Sequence, residues 1–262
     1  MKTWWFTENC YPYLPPEESY RSIRVDLPNI HCEPETANEL YNRYLDLWCA
    51  CEDVGLEIML NEHHQTATCI VPAAPILLGI LARQTEKARL LILGNPIPNR
   101  SQPVRVAEEM AMVDVISKGR VECGFVRSVP YEAAPANVLP HRGAERLWEA
   151  HDLIVKAWTS HDGPFNFEGQ WYHHRQVNIW PRPYQQPHPP IWITMGSAGT
   201  AVPVAEHDYI GAVFLAGYGK IRGIFDGYRE AYQAAHGAPA PLDRLAYLGL
   251  CYVGETEAEA EK

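Results

Sequence analysis

The chain has 262 residues, 47% of them hydrophobic, which suits one large domain with a sizeable core. A formal net charge of −10 and the absence of any Lys/Arg run argue against a nucleic-acid or anionic-membrane surface. The longest apolar run, 70–82, is too short to span a bilayer and carries two prolines.

The N-terminal MKTWWFTENCYP lacks the long apolar core of a signal peptide and is not expected to be one. Its KTWWFTE stretch (2–8) reads as a strand. After a Pro-rich loop, ETANELYNRYLDLWCACEDVG reads as a helix with Leu40, Tyr44, Leu47 and Cys51 on one stripe, closed by Gly55. LEIML (56–60) is a strand that runs into LNEHHQTATCIVP. AAPILLGILARQT is a second helix and ARLLILGNPIP a strand with a turn signal. QPVRVAEEMAMVDVISKG is a third helix, with Pro103 in its first turn and Lys118-Gly119 at its end. RVECGFV is a fourth strand, and ERLWEAHDLIVKAW a helix beyond the next loop.

Residues 161–189 break this rhythm. They are aromatic and Pro-rich, with a hairpin expected at Glu168-Gly169. Strand IWITMG, helix GTAVPVAEH, strand YIGAVFLA, helix KIRGIFDGYREAYQAAHG and strand RLAYLGLCYVG follow. TEAEAEK begins one more helix.

Seven strands alternating with helices predict an α/β chain with right-handed crossovers: a doubly wound sheet or a (β/α)8 (TIM) barrel. No GxGxxG follows the first strand and no GxxxxGK[ST] occurs, so a nucleotide-binding open sheet has no support. The barrel is the expectation. It would be a single domain over 1–262 with an inserted segment near 161–189 and no eighth strand.

Seven cysteines, an odd number with no CxxC, lead to the expectation of reduced thiols in a cytoplasmic protein. Cys49 and Cys51 sit two apart on a helix and face different ways, so they do not suggest a metal pair.

In a barrel, chemistry collects where strands end. The second strand ends in Asn61, Glu62, His63 and His64, a cluster open to three readings: metal site, acid–base site, or polar strand end. Alternation along an extended chain sends His63 and His64 to opposite sides, a poor chelating geometry, and HExxH is absent; no metal is expected. One inward histidine beside a carboxylate suits proton transfer, because imidazole titrates near neutral pH.

Gly94-Asn95 ends the third strand. The glycine lets a flat ligand approach the backbone, and the amide can donate and accept. Arg127 ends the fourth strand, with Arg142 and Arg146 opening the next helix. GSAGT places Ser197 and Thr200 at a helix start, whose free N–H groups suit a phosphate. Each feature alone is also compatible with an ordinary turn, cap or surface ion pair.

NEHH, LGNPIPNRSQPVRVAEEMAMVDVISKGRVECGFVR, FEGQWY, RPYQQPHPPIW and GSAGT together resemble the luciferase-like flavin monooxygenases, the bacterial luciferase superfamily. The likeness runs almost from end to end and is most specific over 91–127.

The resemblance implies a (β/α)8 barrel with reduced FMN lying across the strand ends. A separate flavin reductase would supply that FMN. With O2 it would form a flavin 4a-hydroperoxide that oxygenates an apolar substrate, and a homodimer is implied. His63 falls at the family's active-site histidine, with Glu62 beside it as a second catalytic candidate. Gly94-Asn95 falls where many members have a cis peptide. Arg127, Ser197 and Thr200 fall on phosphate positions, and Arg142 or Arg146 would supply a second cation.

Val126 stands where true luciferases carry cysteine, which speaks against light emission. The family extends beyond residue 262, so C-terminal truncation is also expected. Two other readings stay open: a deazaflavin-dependent hydride-transfer oxidoreductase, and a non-catalytic flavin-binding relative.

Overall fold

A computed structural model describes residues 1–261. The chain divides into two compact units, Met1–Ile191 and Trp192–Lys262.

The first unit is built on four parallel strands in chain order: β1 (Trp4–Trp5), β2 (Glu57–Leu60), β3 (Leu90–Asn95) and β4 (Val121–Phe125). Between them run α1 (Pro34–Asp53), α2 (Ala74–Gln84) and α3 (Pro103–Ile116). Both β3 and β4 are buried along their whole length, as continuous apolar runs in a parallel sheet require. Pro34, Pro75 and Pro103 stand in the first turns of the three helices, where a missing N–H leaves no bond unmade.

The first strand is shorter than the expected 2–8. Asn9 turns the chain at φ 55°, and beyond it the backbone pairs with the loop after β2, through Ile70 N–H to Asn9 O and Tyr11 N–H to Ala67 O. The stripe of α1 also differs: Leu40, Trp48 and Cys51 are buried while Leu47 is exposed. Trp48 replaces it because its ring packs edge-on against Trp5 of β1 at 6.0 Å.

After β4 comes a four-residue helix, α4 (Pro130–Ala133), then α5 (Gly143–Thr159). On α5, Leu147, Ala150, His151, Ile154 and Trp158 are buried at helical spacing, and Trp158 Nε1–H donates to Ala107 O of α3 at 2.9 Å. The segment 161–189 contains the antiparallel hairpin β5 (Phe165–Glu168) and β6 (His173–Val177). Its turn is gripped by Glu149 of α5, whose carboxylate accepts the N–H groups of Gln170, Trp171 and Tyr172 at 2.7–2.9 Å.

The second unit is three parallel strands, β7 (Ile191–Thr194, which starts at the end of the first unit), β8 (Ile210–Phe214) and β9 (Leu245–Leu248). They are joined by α6 (Ala198–Glu206) and α7 (Tyr218–His236), and α8 (Glu257–Ala260) is the last helix. Ile224, Tyr228 and Tyr232 form the buried face of α7, and Gly237 closes it at φ 70°, the left-handed cap conformation. An Asp208–Arg244 ion pair at 2.7 Å ties the α6–β8 turn to the start of β9. Strand–helix alternation with parallel pairing is thus present in both units. All seven cysteines are free. Among the described residues, no helix is long and apolar enough to cross a membrane.

Candidate active site

His63 and His64 leave the end of β2 in different directions, and each meets a buried glutamate. The His63 imidazole donates through Nδ1 to Glu132 Oε1 of α4 at 2.8 Å; the same oxygen accepts the His64 backbone N–H at 2.9 Å. The other His63 nitrogen, Nε2, lies 3.6 Å from the Glu8 carboxylate, beyond β1. Glu8 is held in turn by Asn61 Nδ2–H at 2.7 Å and keeps 50% of its side chain exposed.

Burial disfavours the His63 imidazolium. The hydrogen bond and charge of Glu132, with the charge of Glu8, outweigh it, and the His63 pKa is raised. Burial likewise pushes the Glu132 carboxyl up, but the bonds from His63 and the His64 N–H pull it below the usual value.

Glu62 faces the other way. Its fully buried carboxylate pairs with Arg100, takes His64 Nε2 at 3.2 Å, and accepts the Ala74 N–H at the start of α2 at 3.0 Å. These partners occupy both oxygens in a cap on the positive end of α2. Among the described residues, no group of three or more His, Cys, Asp or Glu is arranged to hold a metal.

At the end of β3, Gly94 lies under Val126: a Cβ there would collide with the valine methyls. Asn95 is 1% exposed, and its Oδ1 and Nδ2 both lack a protein partner. The cis peptides among the described residues are Trp180-Pro181 and Gln186-Pro187; the Gly94–Asn95 bond is trans, in contrast to the resemblance. Just beyond, Asn99 Nδ2–H donates to Ser128 Oγ at 2.7 Å. Ser128 itself takes φ 77° and approaches Glu132 Oε2 at 3.5 Å. A serine in the left-handed region is uncommon and is held here by this network.

The three arginines differ. Arg127 is exposed, lays its aliphatic stem near Gly143, and makes no ion pair with a described residue. Arg142 pairs with Glu145 at 2.9 Å. Arg146 stacks on Trp171 and Tyr172, 5.5 and 4.9 Å from the ring centres, and donates through Nε to Pro98 O at 2.9 Å. It is engaged in fastening the hairpin.

In the second unit, Ser197 caps α6 and Thr200 completes a capping box. Thr200 N–H donates to Ser197 Oγ, while Gly196 and Ser197 N–H both donate to Thr200 Oγ1 at 3.0 Å. The exposed Ala198 and Gly199 N–H groups remain for an anion. An open groove of about 520 Å³ between α6 and α7 touches the same turn but is lined by small residues and by Glu206 and Glu230, without a cation.

Glu132, Glu8 and Arg100 were not legible as site residues. Glu132 sits 69 positions from His63 on a helix too short to show periodicity. Glu8 could have been found by extending the survey of strand ends to the first strand.

Solved structures share this architecture. The oxygenating constituent of 3,6-diketocamphane monooxygenase from Pseudomonas putida, in complex with FMN, superposes at TM-score 0.75 and 18% identity. The alignment covers 94% of this chain and 66% of that one. An F420-dependent secondary alcohol dehydrogenase with an F420–acetone adduct superposes at 0.68 and 16% identity, covering 79% and 63%.

The fold is thus α/β, of the TIM-barrel class of those proteins, with a hairpin inserted. The model of the luciferase-like monooxygenase family matches residues 24–262, and the chain belongs to that family. Among curated relatives, the oxygenase component of flavin-dependent trigonelline monooxygenase from Acinetobacter baylyi is 29% identical over 165 residues, 62% of this chain and 45% of that protein. The chain spans 43–67% of the length of the curated relatives it matches.

Proposed function

We propose that the protein is the oxygenase component of a two-component flavin monooxygenase, taking reduced FMN from a separate reductase and acting with O2 on an apolar organic substrate. The observation that carries this reading is Asn95. A buried amide with no protein partner costs about 1–3 kcal/mol unless a ligand satisfies it. It stands at the strand end where the resemblance places the flavin ring, and it offers one donor and one acceptor to a ring edge.

Reduced flavin, when bound, supplies the electrons that activate oxygen. The protein's own part is then proton handling and positioning. His63 presents Nε2 for a proton while Glu132 holds Nδ1. Asn95 would orient the ring, and Gly94 leaves room for the Val126 side chain beside that strand end. Arg127 is assigned to phosphate on the chemistry it offers by itself; in the second unit the free donors are the Ala198 and Gly199 N–H groups, because Ser197 and Thr200 already bond each other. Arg142 and Arg146 are weaker candidates, since both already have partners. Glu62 supports the site through His64 and Arg100 rather than by touching substrate.

The reading extends to assembly. Ile76 and Ile80 on α2, with Met112, Val115 and Ile116 on α3, are exposed apolar side chains that a second copy would cover.

A titration with FMN, riboflavin and F420, followed by fluorescence, tests the cofactor. FMN is expected to bind tightest, and Arg127→Ala to weaken FMN about tenfold while sparing riboflavin. Equal weakening of both removes Arg127 from the phosphate role. Preferential binding of F420 supports the second reading, a deazaflavin-dependent hydride-transfer oxidoreductase, which the fold shared with the F420-dependent dehydrogenase favours.

A further inference from the structure

We propose that Glu132, His63 and Glu8 form a directional proton relay. Glu132 is the positioning residue that confines exchange to Nε2, and Glu8 connects Nε2 to water. This rests on His63 being the proton-handling group of the proposed oxygenase.

The geometry carries the argument. Glu132 Oε1 already accepts the His64 N–H and lies 2.8 Å from Nδ1 of His63. A carboxylate can only accept, so Nδ1 must hold the proton and the Nδ1–H tautomer is selected. All exchange is thereby left to Nε2, whose neighbour is the Glu8 carboxylate at 3.6 Å. Glu8 is fixed from behind by Asn61, yet half exposed.

A turnover runs as follows. The imidazolium gives its Nε2 proton to the oxygen base formed in the reaction, and the N–H bonding pair stays on nitrogen. Neutral imidazole keeps Nδ1–H. Glu8, protonated from water, passes that proton to Nε2 and returns to carboxylate.

The groups facing His63 agree with this direction. Glu132 on α4 and Glu8 after β1 favour the imidazolium. Arg24 opposes it from the N-terminal loop, where its Nη1–H donates to the Tyr131 hydroxyl at 3.3 Å and its guanidinium lies 5.6 Å from that ring's centre. His64 lies outside the relay because its Nε2 faces Glu62, which is itself paired with Arg100.

Histidine ¹⁵N NMR of the ligand-free protein tests the relay. In the wild type, His63 should titrate above about 6.5 and deprotonate to the Nδ1–H tautomer. Glu132→Gln should lower that pKa by about one unit and mix the tautomers, because a glutamine can donate to Nδ1 as well as accept. Glu132→Asp should restore the tautomer and part of the shift. Glu8→Gln should lower the pKa by less and leave the tautomer intact.

A folded Glu132→Gln protein with wild-type His63 behaviour overturns the proposal. Should that variant not fold, an unchanged His63 pKa in Glu8→Gln does so. Either result alongside FMN binding by the wild type leaves the oxygenase reading standing. Failure of the wild type to bind FMN, with the tautomer as expected, removes that reading and spares the relay geometry.

Discussion

Two histidines stand side by side in this chain, each against a buried glutamate, and they have come to opposite ends. Glu62 has three partners: His64, Arg100 and the first N–H of α2. Arg100 offsets its charge, and both of its oxygens are occupied. Glu132 also has its oxygens engaged, but its histidine is left with one nitrogen directed at a half-exposed carboxylate. What separates the two pairs is therefore the company each keeps: Glu62 also holds an arginine and a helix N–H, whereas His63 meets a second carboxylate, Glu8, at Nε2.

Substituting each histidine is the strongest way to break the comparison. His63→Ala is expected to lower turnover with photoreduced FMN, followed by oxygen uptake, about 10²–10⁴-fold while leaving FMN affinity near wild type. His64→Ala should keep most of that rate. Equal losses in the two variants would abolish the distinction.

Next in size is Glu62→Gln, which leaves the Arg100 guanidinium without its buried counter-charge. A loss of about 3 kcal/mol in urea unfolding is expected, against a smaller loss for Glu132→Gln. A larger loss at Glu132 would reverse the assignment of the brace.

The smallest effect is on pH dependence. The raised His63 pKa makes its contribution full below about pH 6.5 and lost as pH rises through the native value. The lowered Glu132 pKa makes its contribution present above about pH 4.5 and lost as pH falls through the native value. The gap in melting temperature between wild type and His63→Ala should accordingly be widest between these limits and narrow on either side. A gap that is constant from pH 4 to 9 would mean the pair is not charged in the native state.

Much of this fold was written in local pattern. Apolar runs without alternation marked β3 and β4, first-turn prolines marked the helices, and Glu168-Gly169 marked the hairpin. The strand-end rule brought His63, Asn95 and Arg127 forward as candidates. Local pattern could not supply what depends on distant contact. Trp48 displaced Leu47 from the buried face because Trp5 was waiting for it, and β1 stopped early because the chain beyond it turned to the loop after β2. Glu132 escaped for the same reason: four residues of helix carry no period, and its partner is far away in sequence.

One small device has a wider bearing. The hairpin is fastened by side chains of a single helix: Glu149 beneath its turn, Arg146 against the rings of Trp171 and Tyr172, and Lys156 over the Phe165 ring. It behaves as a cassette clipped to α5. The clip holds the turn at residues 170–172, so the composition of the strands on either side of it is freer to drift. Such a protein can vary this surface without rebuilding its parallel strands.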